Sequence, residues 1–60
     1  MSENLLEDMK ERIKEGKEQL ATARDLINKL KTAGEDTSIL EKQYRETKAR
    51  LDRYEKAFGT

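Results

Sequence analysis

Apolar residues along the first half of the chain recur at Leu6, Met9, Ile13, Gly16, Leu20, Ala23, Ile27 and Leu30, with Gly16 standing where an apolar side chain would. The steps between them alternate 3 and 4 without a break. That is a heptad repeat, with Leu6, Ile13, Leu20 and Ile27 at a and Met9, Gly16, Ala23 and Leu30 at d. The second half repeats the pattern with Tyr44, Leu51 and Phe58 at a and Leu40, Thr47 and Tyr54 at d. Two long amphipathic helices follow. They are separated by KTAGEDTSILEK, in which Gly34 suits the left-handed residue that ends a helix. Lys29 and Lys31 favour the negative end of the first helix. Asp36, Thr37 and Ser38 are all N-cap types; Ser38 with Glu41 fits a capping box, and Asp36 is the other candidate cap. The pattern predicts helix 1 near 3–33, a turn near 34–36 and helix 2 near 37–58, about 46 and 33 Å long.

A connection this short makes the helices antiparallel neighbours. The fold class expected is therefore all-α: one domain, residues 1–60, built as an antiparallel two-helix hairpin of coiled-coil type. Facing residues then have numbers that sum to about 70 or 71. Leu30 meets Leu40, Ile27 meets Tyr44, Ala23 meets Thr47, Leu20 meets Leu51, Gly16 meets Tyr54 and Ile13 meets Phe58. On this scheme Gly16, which costs a helix interior roughly 1 kcal/mol relative to alanine, is a gap that receives the Tyr54 ring. The e positions of helix 1 are all basic: Lys10, Lys17, Arg24 and Lys31. Pairing places Lys31 by Glu41 and Lys17 by Glu55, and sets Arg24 unfavourably near Lys48.

Composition narrows the function. The chain has 33% apolar and 43% charged residues, a formal net charge of zero, and neither cysteine nor histidine. Disulfides, thiolate metal sites, cysteine nucleophiles and histidine bases are thereby excluded. Glu7, Asp8, Glu11, Glu15 and Glu18 cluster, but Lys10, Arg12 and Lys14 lie among them as ion-pair partners, so the cluster reads as a solvated face. The serines and threonines have no base to activate them. Neither a catalytic residue nor a cofactor or metal is expected, and the chain reads as non-enzymatic. No apolar run exceeds two residues, which leaves no membrane-spanning helix or signal peptide in this sequence. A cytoplasmic protein is the expectation, and Met1 together with the closing FGT suggests a complete one.

The leftovers of the hairpin suggest partners. Helix 1 outruns helix 2, so Leu5, Leu6 and Met9 lack a mate, with Phe58 at the same open end. Near the turn, Leu26 at g and Ile39 at c project away from the seam. A twofold dimer with hairpins running in opposite directions would bring these two patches together as a four-helix bundle. The sequence therefore reads as a small protein-protein interaction or structural module (assembly factor, adaptor or regulator) acting as a homodimer, with another helical protein as the alternative occupant of the same residues. A second class of function would use Lys10, Lys14, Lys17, Arg24 and Lys31 as a stripe tracking a nucleic-acid backbone, although the acids on the same helix dilute its field.

Overall fold

A computed structural model describes the backbone of residues 2–59 and the side chains of residues 4–59. Two helices, α1 (Ser2–Thr32) and α2 (Ser38–Phe58), pack side by side as an antiparallel hairpin measuring 49 × 15 × 13 Å. The turn is wider than the sequence suggests by about one residue on each side, because the capping geometry at both ends consumes residues that the heptad count assigns to helix.

Gly34 closes α1 with φ of +85°. Its N–H donates to the Lys31 carbonyl, and the Glu35 N–H donates to that of Leu30, the paired bonds of a Schellman motif. On the far side the cap comes from Asp36. Its Oδ1 accepts from the Ser38 N–H at 3.0 Å and from the Ser38 hydroxyl at 2.7 Å. The Ser38–Glu41 capping box does not form, since Glu41 is engaged elsewhere. Thr37 occupies the N-cap position without a side-chain cap bond and is 4% exposed. Its hydroxyl donates instead to Glu41 Oε1 at 2.6 Å, and Lys31 Nζ lies 2.8 Å from that same oxygen. The turn is thus tied to both helices by one carboxylate. Gly59 ends α2 in the left-handed conformation, its N–H bonded to the Glu55 carbonyl.

The core is thin. Among the described residues only Ile13, Ile27 and Leu51 are buried apolar side chains. Leu51 answers the question of Gly16: a Cβ at Gly16 would lie 2.9 and 3.0 Å from its two terminal methyl carbons. The expected partner, Tyr54, is instead 39% exposed at the rim. The correction has a physical reason. The small d residues of α1, Gly16 and Ala23, leave a hollow that a leucine fills without strain. The larger ring at position 54 keeps its hydroxyl in water by staying at the edge. Helix α2 is accordingly turned so that its a positions, with Glu41 and Glu55 at e, face α1. Its d positions, Leu40, Thr47 and Tyr54, are left exposed.

Candidate functional site

That rotation gives the hairpin two unlike flanks. Along the e flank the helices are stitched by charge. Lys17 reaches Glu55 and Lys31 reaches Glu41, both at 2.8 Å, as the pairing rule places them. Arg24, placed by the same rule near Lys48, lies over the Tyr44 ring 5.7 Å from its centroid. Lys48 turns to Asp52 at 3.9 Å. Arg24 thus takes the Tyr44 ring across the seam and Lys48 takes Asp52 on its own helix, so each charge has a favourable partner.

Two carboxyls on or near this flank have lowered pKa values. Glu41 lies below the ordinary glutamate value of 4.5, chiefly through its bond from Lys31 and then that from Thr37. Asp36 lies below 3.8, chiefly through the backbone N–H of Ser38 and then its hydroxyl. Both shifts come from charge-favouring hydrogen bonds, at a half-buried group for Glu41 and an exposed one for Asp36. They fasten the turn; neither carboxylate faces a cavity where a substrate would sit.

The g flank is open. A groove of about 480 Å³ runs along it, lined on α1 by Gly16, Gln19, Leu20, Ala23, Leu26 and Ile27. Its α2 wall is Leu40, Gln43, Tyr44, Thr47, Arg50, Leu51 and Tyr54. This wall is mostly hydrocarbon and aromatic surface with polar groups only at its edges, the composition of a protein docking site.

The residues expected to meet a partner fall on either side of this description. Leu26 lines the groove and is 55% exposed. Leu5 and Leu6 are exposed on the part of α1 beyond the end of α2, and Ile39 is exposed beside the turn. Met9 and Phe58 are half-buried, Phe58 with its ring 6.4 Å from that of Tyr54. Leu40 and Tyr54 belong with this surface although the heptad assigned them to the seam. Their d positions carried no sign that α2 would turn. Of the basic stripe, Lys17 and Lys31 are neutralised in ion pairs and Arg24 is held on Tyr44, while Lys14 is exposed and Lys10 half-buried.

Among the described residues, no group of three or more acidic side chains is arranged to hold a metal ion. Among the described residues, no helix is long and apolar enough to cross a membrane. The fold and this flank define the class: an all-α helical hairpin with one open apolar side. Compared with protein-family models, with curated proteins and with solved structures, the chain has no match.

Proposed function

We propose that the chain is a non-enzymatic protein-protein interaction module that works as a homodimeric helical hairpin, its groove closed by a second copy to give four helices. The observation that carries this reading is the contrast in burial. Among the described residues only three apolar side chains are buried within the hairpin, whereas Leu26, Leu40 and Tyr54 line an apolar groove and remain exposed. Ordering about 1.5 kcal/mol worth of conformational freedom per residue needs more burial than two helices give each other. A dimer supplies it from residues already in place.

Leu26→Glu tests this directly. Leu26 is 55% exposed and is not one of the buried seam residues, so the substitution spares the hairpin core and sets a charge in the groove. Sedimentation equilibrium at micromolar concentration should show the parent chain as a dimer and the variant as a monomer. A parent chain that sediments as a 7.0 kDa monomer while fully helical, or a variant that dimerises as well as the parent, would sink the reading.

A further inference from the structure

The charges along the open flank choose between the two ways in which a twofold axis can seat a second copy. The choice rests on the self-association proposed above. Area already favours a copy of this chain as the occupant. A compact monomer of 7.0 kDa exposes about 4,000 Å². This chain exposes 5085 Å². The excess, about 1,000 Å² per chain, comes to about 2,000 Å² for a pair, which is the size of a stable interface.

Charge then sets the arrangement. On the groove side of α1, Glu15 and Glu18 border a shallow depression together with Gln19 and Thr22. On α2, Arg50 lines the groove and Arg53 follows one turn further. Toward the turn the signs exchange, with Lys29 on α1 and Glu46 on α2. An axis perpendicular to the helices lays α1 on α1 and α2 on α2. For the partner's turn end to cover Leu5 and Leu6, that axis passes close to Gln19, and on α2 this is about the height of Arg50 and Arg53. Four arginines then converge.

An axis parallel to the helices lays α1 of one protomer against α2 of its partner, turn beside turn. Rotation about such an axis leaves every residue at its own height, so the register is not adjustable. It is the hairpin's own, fixed by Lys17–Glu55 and Lys31–Glu41. At that register Glu18 lies within about one helical turn of both Arg50 and Arg53, Glu15 within about one turn of Arg53 and about two of Arg50, and Lys29 within about one turn of Glu46.

We propose that the dimer is of this second kind: two hairpins with their turns at the same end, Glu15 and Glu18 of each facing Arg50 and Arg53 of the other across the closed groove. This departs from the opposite-running dimer that the apolar leftovers alone suggest. The two overhanging stretches bearing Leu5, Leu6 and Met9 then emerge together at one end.

The chain has no cysteine, so a single one introduced at Glu35, exposed in the turn, accepts one nitroxide label per protomer. Pulsed electron resonance should give a distance between labels of about 15–25 Å, the span of neighbouring or diagonal helices plus linkers. The perpendicular arrangement places the labels about 50 Å apart along the bundle, and that result overturns the proposal while leaving self-association standing. Charge reversal gives a second readout. Arg50→Glu with Arg53→Glu should weaken dimerisation by on the order of tenfold, and adding Glu15→Arg with Glu18→Arg should restore it. Equal dimerisation in all three proteins overturns the facing assigned here. A labelled chain that sediments as a folded monomer overturns this proposal and the self-association together.

Discussion

The two flanks of this hairpin are made from the same helices and differ in almost every physical respect. On the e side, lysines of α1 meet glutamates of α2 at 2.8 Å, and an arginine rests on a tyrosine ring. The contacts are polar, local and complete within one chain. On the g side, leucines and two tyrosines line a groove that none of the described residues fills. Exposed ion pairs contribute little energy each but fix which residues face which. Apolar surface contributes most of the energy and specifies little. In this molecule the chain satisfies its specifying flank by itself and leaves its energetic flank unsatisfied. A hairpin built this way has its register settled before it meets a partner, and has reason to meet one.

The largest expected effect comes from the residue that joins the flanks. Leu51→Ala removes the side chain seated on Gly16 and should cost about 3 kcal/mol. That is a third or more of the roughly 3–9 kcal/mol available to a domain of this length, so the melting temperature followed by circular dichroism should fall by about 12–24 °C.

Gly16→Leu attacks the same contact from the other side. It gains up to about 1 kcal/mol of helix propensity and forces Leu51 and α2 away, at a cost of about 1–3 kcal/mol. The net expectation is a lower melting temperature, and a clear rise would show that the close approach at Gly16 is not limiting. Gly16→Ala should be nearly neutral, because the Leu51 methyls it meets are the ends of a flexible side chain.

Breaking the e flank should cost less. Lys17→Gln is expected to lower stability by about 0.5 kcal/mol, with the difference from the parent vanishing at high salt. The dimer should persist, which separates the role of this flank from that of the groove. Smallest of all is the response to acid. Glu41 and Asp36 have folded-state pKa values below their ordinary ones, so their contribution is fully present above those values and is lost as pH falls through the lowered ones. The melting temperature should therefore begin to fall near pH 4.5 and continue falling below 3.8. Glu41→Gln should remove the part due to Glu41 and leave that of Asp36.

Much of this architecture is written in the spacing of residues. Gly34 marks the turn because only a residue at home with positive φ ends α1 there, and the unbroken 3–4 alternation leaves no other place to fold. The ion pairs Lys17–Glu55 and Lys31–Glu41 follow from turn length alone, since an antiparallel register is fixed once the turn is. The rotation of α2 about its own axis is not legible in this way. A heptad states which residues share a stripe and is silent on how far the stripe turns once a small residue opposes it. Tyr54 and Leu40 thus lie on the rim while Leu51 takes the hollow, and the open groove includes side chains that periodicity assigns to the seam. Thr37 was legible as a cap type but not as a buried donor to Glu41, because that bond depends on Lys31 arriving from the other helix.

The central claim, that the hairpin completes its fold by covering its open flank with another copy, is tested most directly by thermal melting of the parent chain over a hundredfold range of concentration. A folded state that is dimeric gains stability by mass action. The midpoint should rise steadily with concentration, and helicity at 25 °C should decline on dilution. A midpoint that stays the same across the range, with helicity undiminished at the lowest concentration, would contradict it.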